Sequence, residues 1–169
     1  MEPVLVLGGT GFVGRHVCEK LVRAGHHVTV ATRAGADTSP LRCLPRLQLV
    51  PANIHDAPVL GNLVAGHGAV VNLVAVLHGD QNRFEAVHVD LAARLARACS
   101  AAGVWRLVHV SALGADPAGP SMYQRSKGRG EQVLREVLAG SATELCIIRP
   151  SVIFGAEDRL LNLFARLQA

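Results

Sequence analysis

Several residue types that carry common functions are scarce in this chain of 169 residues. Aromatics make up 4% of it and charged residues 18%; the seventeen basic residues are almost all arginine, with Lys20 and Lys127 the only lysines. They are dispersed and not interleaved with aromatics, so no nucleic-acid partner is expected despite the net charge of +4. Cys18, Cys43, Cys99 and Cys146 form no CxxC pair and are expected to be reduced, mostly buried packing residues of a cytoplasmic protein. The eight histidines include no HxxxH or HExxH spacing, which leaves a metal site without support. No apolar run approaches the roughly 18 residues that span a bilayer, so no transmembrane segment is expected. A first strand starting near Pro3 leaves no room for a signal or transit peptide. What is abundant is hydrophobic sequence, 50% of the chain, enough to bury one core.

Val4-Leu5-Val6-Leu7 reads as a short buried strand, and it runs directly into Gly8-Gly9-Thr10-Gly11-Phe12-Val13-Gly14. Phe12 to Ala24 then has helical character. One glycine lets the chain turn, a second lets backbone N–H groups approach a pyrophosphate, and a third lets the helix pack close to the strand. Gly8, Thr10, Gly11, Phe12, Val13 and Gly14 are therefore expected to hold a dinucleotide pyrophosphate at the helix N-terminus.

Short β-rich runs alternate with helical stretches along the rest of the chain. Strands are expected at Val4–Leu7, His27–Thr32, Leu47–Pro51, Ala69–Val74, Leu107–Val110 and Leu145–Ile148. Helices are expected at Phe12–Ala24, Ala57–Ala65, Arg83–Ala102 and Met122–Leu138. Within the third helix Phe84, Val87, Leu91, Leu95, Ala98 and Ala102 form one apolar stripe. Gly25, Gly66, Gly103 and Gly140 each follow a helix as C′ residues do, and Asp56 with Pro58 reads as a helix start. The expected architecture is α/β: a doubly wound, six-stranded parallel sheet of Rossmann type, order 3-2-1-4-5-6, with ligand along the carboxyl ends of the strands. Residues 1–155 form the NAD(P)-binding domain in this reading. Residues 156–169, with an amphipathic helix from Asp158 to Leu167, begin a C-terminal substrate lobe that is largely missing.

Those strand ends name the remaining candidates. After the second strand stands Arg33, where an NAD site has an acid for the ribose 2′-hydroxyl; Asp37 lies further along. An always-charged guanidinium suits a 2′-phosphate, with Arg15 a second cation, so NADP(H) is favoured over NAD(H). After the third strand, Asn53 offers an acceptor for the adenine amine and Ile54 a cover for its ring; the other reading of Asn53 is a loop amide bonding its own backbone. Leu73-Val74-Ala75 is small and apolar enough for the nicotinamide ribose to pass. Pro150 stiffens the turn after the last strand and borders the nicotinamide face.

The fifth strand ends on Ser111, and twelve residues later Tyr123 and Lys127 stand i, i+4 on one helical face. The ammonium is expected to lower the phenol pKa and hold ribose hydroxyls. Tyr123 then exchanges a proton as hydride moves at an adjacent carbon, and Ser111 hydrogen-bonds the same substrate oxygen. Tyr123, Lys127 and Ser111 are thus the catalytic candidates, Tyr123 and Lys127 also cofactor contacts.

GGTGFVG, the Ser111/Tyr123/Lys127 set and the run from Arg149 to Gly155 together resemble the extended and atypical short-chain dehydrogenase/reductase superfamily, of the NAD-dependent epimerase/dehydratase kind. The stretches from Phe84 to Asp90, Ser111 to Asp116 and Ile148 to Arg159 look most like the branch containing the NADPH-binding accessory subunit of respiratory complex I and its bacterial relatives. By that resemblance the glycine turn, Arg33, Tyr123 and Lys127 are cofactor contacts. Asn53 departs from the family's Asp, the Ser111–Tyr123 stretch is shorter than in sugar epimerases and dehydratases, and a second lobe normally follows. Two functions are expected: an NADP(H)-dependent oxidoreductase or epimerase acting at a hydroxyl or carbonyl carbon of an unknown small molecule, or a non-catalytic NADPH-binding module docked on a larger assembly. The expected location is cytoplasmic, with peripheral attachment at the inner membrane through a partner under the second reading.

Overall fold

The computed structural model describes residues 2–155 and Asp158. The expected helix from Asp158 to Leu167, and with it the boundary at 156, lies outside the described residues except for Asp158 itself.

Six parallel strands form one sheet in the order β3-β2-β1-β4-β5-β6. They are β1 (Val4–Leu7), β2 (Val28–Thr32), β3 (Leu47–Pro51), β4 (Ala69–Asn72), β5 (Arg106–Val110) and β6 (Glu144–Ile148). Alternation along β1 explains why it sits centrally. Leu5 and Leu7 enter the core under α2 (Ala57–Val64), α4 (Leu91–Ala102) and α5 (Met122–Leu138), while Val4 and Val6 enter the core under α1 (Phe12–Arg23). Both faces being covered, the central strand β1 is wholly aliphatic.

Most ends fall where the residue chemistry places them. Asp56 caps α2 by accepting from the Val59 N–H at 3.0 Å, with Pro58 in the first turn. Ser121 and Gln124 form a capping box at the start of α5. Gly25, Gly66, Gly103 and Gly140 all have positive φ after their helices.

Three expectations need correction. β4 stops at Asn72, two residues early, because the Asn72 side chain turns back and accepts from the Val74 N–H at 3.1 Å. The expected single helix from Arg83 to Ala102 is α3 (Gln81–Glu85), a π-helical turn (Ala86–Asp90) and α4 in succession. Its stripe also shifts: His88, Ala92, Ala96 and Cys99 are buried, and Ala102 is exposed. Among the cysteines, Cys18 and Cys99 are buried but Cys43 and Cys146 are exposed, since Cys146 lies on edge strand β6.

Candidate functional site

The glycine turn shows why each glycine is there. Gly8 has φ +82°, and a Cβ on it would meet the Leu73 carbonyl and the Val74 nitrogen at 3.1–3.2 Å, so the loops after β1 and β4 touch backbone to backbone. A Cβ on Gly14 would strike the Gly8 carbonyl oxygen and come within 2.6 Å of Gly9 Cα. Only glycine lets α1 start this close to β1. Gly11 is different: it is exposed, and a Cβ there would meet only the Gly8 oxygen, at 3.3 Å. It occupies the N-cap of α1 with no side-chain cap and no acid in the first turn. The first-turn N–H groups, those of Phe12 and Val13 among them, are left for an anion. Thr10 is half-buried within the turn, and the side chains of Phe12 and Val13 line an apolar groove of about 640 Å³ with Ile153 and Phe154.

At the end of β2, Arg33 is exposed beside Gly35, whose φ is +74°. Asp37 does not reach back as a free acceptor. Its carboxylate takes the Ser39 N–H at 3.0 Å, and that bond first, then the charges of Arg15 and Arg42, hold its pKa down. Asn53 is exposed and its amide oxygen accepts from the His55 N–H at 3.1 Å, the local loop bond of the second reading. Ile54 packs against the core.

Helix α5 carries the reactive candidates. Lys127 is only 1% exposed, and its Nζ donates to the Val110 carbonyl at 2.8 Å. Burial pulls its pKa down to about 8, opposed by the negative charge of Glu131. Tyr123 is half-buried, its ring edge-on to Phe84 and His88 with centroids 6.3 and 5.6 Å apart. Its phenol pKa is raised by burial, which corrects the expected lowering by Lys127: the ammonium is directed to the Val110 carbonyl instead. Ser111 is buried, with its N–H donating to the Ile148 carbonyl. Its hydroxyl has no hydrogen bond of ordinary geometry but lies close enough to the Glu131 carboxylate to help keep it ionised. Pro150 joins the site through its carbonyl, which accepts from the Leu113 N–H at 2.8 Å.

The fold thus brings Lys127 and Ser111 together at the end of β5, and Leu73 and Val74 against Gly8; Ala75 is exposed beyond them. No described contact joins Arg33, Asn53 or Ile54 to α5.

Sequence reasoning passed over four buried polar groups beneath the site. Asn72 donates from Nδ2 to His109 Nδ1 at 3.1 Å, and His109 is pushed down to about 3 by burial and then by Lys127. His88 bridges the Val76 N–H and Ser126. Glu131, one turn beyond Lys127, is clamped by Arg149. The i, i+4 spacing of Lys127 and Glu131 and the Asn72 bond to Val74 are local; the partners that hold His88 and His109 lie 12 or more residues away in the chain.

Comparison with known proteins gives the family and supports the fold. Residues 4–167 match the profile of the NAD dependent epimerase/dehydratase family. The mitochondrial NADH dehydrogenase (ubiquinone) 1 alpha subcomplex subunit 9 of Mus musculus is 38% identical over 165 residues, 95% of this chain and 43% of that protein. The mitochondrial NADH-ubiquinone oxidoreductase 40 kDa subunit of Neurospora crassa is 32% identical over 96% of this chain and 44% of that protein. The chain therefore spans less than half the length of these relatives. Among solved structures, the Bordetella bronchiseptica enzyme WbmH in complex with NAD+ superposes with a TM-score of 0.79 at 21% identity, over 99% of this chain and 63% of that one, a likeness of fold.

Proposed function

The chain belongs to the NAD dependent epimerase/dehydratase family, and on that premise we propose that it binds a nicotinamide dinucleotide across the carboxyl ends of its strands, NADP(H) in preference to NAD(H). The observation that carries this is the glycine turn: Gly14 leaves no room for a Cβ, Gly8 has positive φ against the β4 loop backbone, and Gly11 is exposed at an uncapped helix N-terminus. The backbone of Gly11 to Gly14 would hold the pyrophosphate, with Thr10 flanking it. Arg33 would take the 2′-phosphate. Asp37 takes the Ser39 N–H and is flanked by Arg15 and Arg42, so the charge around the end of β2 is mostly positive. Asn53 and Ile54 would border the adenine, and Leu73, Val74, Ala75 and Pro150 the nicotinamide end, where Tyr123 and Lys127 would hold the ribose.

Between the two expected roles, a non-catalytic binding module docked on a larger assembly fits the site better. Burial raises the Tyr123 phenol above its ordinary value, and one of the three Lys127 donors goes to the Val110 carbonyl, so the phenol is less ready to ionise than the enzyme role asks. Leu77, Leu113 and Phe154 expose 67–71% of their surface, apolar area a partner would cover. The relatives named above, mitochondrial NADH dehydrogenase and NADH-ubiquinone oxidoreductase subunits, support docking on such an assembly, with peripheral attachment at a membrane through it.

The second reading is an oxidoreductase or epimerase acting at a hydroxyl or carbonyl carbon, favoured by Tyr123 and Lys127 standing one turn apart on α5. A bound nicotinamide would supply hydride exchange. Tyr123 would exchange the proton, Lys127 would support the phenolate, and Ser111 would hydrogen-bond the substrate oxygen. Thermal shift with NADP(H) and NAD(H) tests the common premise: both should raise the melting temperature, NADP(H) more. No shift with either would remove it.

A further inference from the structure

His88 lies in the π-helical turn between α3 and α4 and is 2% exposed. Its Nε2 accepts from the Val76 backbone N–H at 3.1 Å, which leaves that nitrogen unprotonated. Its Nδ1, 2.8 Å from Ser126 Oγ, therefore carries the proton and donates it. Ser126 Oγ passes its own proton to the Tyr123 carbonyl at 2.9 Å. The hydrogen bonds run in one direction, from the loop after β4 through His88 and Ser126 to the backbone of Tyr123, while the His88 ring rests edge-on against the Tyr123 ring. At its other end the loop touches Gly8. Helix α5 comes this close because residue 130 is glycine: a Cβ there would strike the His88 carbonyl oxygen.

We propose that His88 is a positioning residue, fixed as the neutral Nδ1–H tautomer, which ties the Val74–Leu77 loop to Tyr123 so that the two walls of the nicotinamide end keep one spacing. The proposal rests on the dinucleotide reading for its purpose but not for its geometry. An apolar residue would fill the same space; it would not accept from Val76 and donate to Ser126 together. Protonation would destroy the acceptor at Nε2 and set a second cation among Lys127 and Tyr123 of α5 and His109 of β5, the titratable groups that face the ring. Burial, reinforced by Lys127, holds His88 neutral down to about pH 4. The loop is thus fixed at neutral pH and released by acid.

The test is nitrogen-15 NMR on the full chain, with amide exchange at Val76 and NADPH titration, for wild type, His88→Phe and His88→Gln. Wild type should show a protonated Nδ1 and bare Nε2 from pH 8 to about 5, and Val76 protection that falls toward pH 4. His88→Phe should speed Val76 exchange roughly tenfold and weaken NADPH several-fold at every pH. His88→Gln, whose side-chain oxygen accepts without titrating, should restore both and remove the acid dependence. Should His88→Phe fail to fold, the wild-type tautomer and the His88→Gln pH series decide alone. A protonated Nε2, or Val76 protection independent of residue 88 and of pH, would overturn the proposal. Failure of the wild type to bind either dinucleotide would strike the proposed function instead, because tautomer and exchange are read without ligand.

Discussion

Arg149 clamps the buried carboxylate of Glu131 with two hydrogen bonds, Nε to Oε1 at 2.8 Å and Nη2 to Oε2 at 2.6 Å, and so ties the end of β6 to α5 one turn past Lys127. Burial alone would raise the Glu131 pKa; the Arg149 hydrogen bonds, the nearby Ser111 hydroxyl and the charges of Arg149 and Arg135 more than reverse it. A carboxyl depressed in the fold adds stability that is present above its ordinary value near 4.5 and lost as pH falls through the folded value. Glu131→Gln should therefore lower the melting temperature at pH 7 by several degrees and flatten the acid limb of the stability profile. Equal losses at pH 7 and pH 3 would show that the pair acts by packing alone.

Glycine positions 11 and 14 should part company on substitution. Asp is a favoured N-cap and suits the helix dipole, and Gly11 is exposed, with the Gly8 oxygen at 3.3 Å the one close neighbour an added Cβ would press on. Gly11→Asp should leave the melting temperature within a few degrees of wild type while its carboxylate repels the pyrophosphate. Gly14→Ala drives a Cβ into backbone that cannot yield, and should cost about 3 kcal/mol in chemical unfolding. If Gly11→Asp unfolded the protein and Gly14→Ala did not, the geometry of the turn would be wrong.

The stability profile between pH 6.5 and 5 should slope downward toward acid. His88 and His109 are depressed by burial to about 4 and about 3, so the unfolded chain binds more protons than the fold below 6.5. Their contribution is full above 6.5 and is lost as pH falls, by up to about 1.4 kcal/mol per pH unit for each. Lys127, depressed to about 8, has the same sign in another window: stability should rise from pH 8 to about 9, above which the buried thiols of Cys18 and Cys99, raised to about 11 and about 12, act in the opposite direction. Urea unfolding across these ranges, with His88→Gln for comparison, checks both limbs; a flat profile from 6.5 to 5 contradicts them.

Much of this was legible in the chain because it is local. The ends of every strand but β4, the glycine turn, the Asp56 cap and the C′ glycines depend on residues within one turn of each other. The π-helical turn at Ala86–Asp90 was not: it serves a histidine whose partners are Val76, 12 residues before, and Ser126, 38 residues after. The phenol of Tyr123 was misjudged for a related reason. The i, i+4 spacing places Lys127 on the same face but cannot say that its ammonium goes to Val110.

Tyr123 is the sole tyrosine, so alkaline absorbance titration reads its phenol directly. Without ligand it should ionise above pH 10, in keeping with burial. Tyr123→Phe should weaken NADPH no more than several-fold, the loss of one hydrogen bond to the ribose. Under the binding-module role no carbonyl or sugar-nucleotide substrate is turned over by wild type. Turnover by wild type that Tyr123→Phe abolishes would reverse the order of the two roles.

The central claim is a dinucleotide held at the glycine turn with its 2′-phosphate at Arg33. Titration of NADPH and NADH followed by nicotinamide fluorescence, on wild type, Gly11→Asp and Arg33→Ala, tests it most directly. The account predicts saturable binding, tighter for NADPH, abolished by Gly11→Asp in a folded protein and stripped of its NADPH preference by Arg33→Ala. Absence of binding by either dinucleotide, or binding that survives Gly11→Asp unchanged, would contradict it.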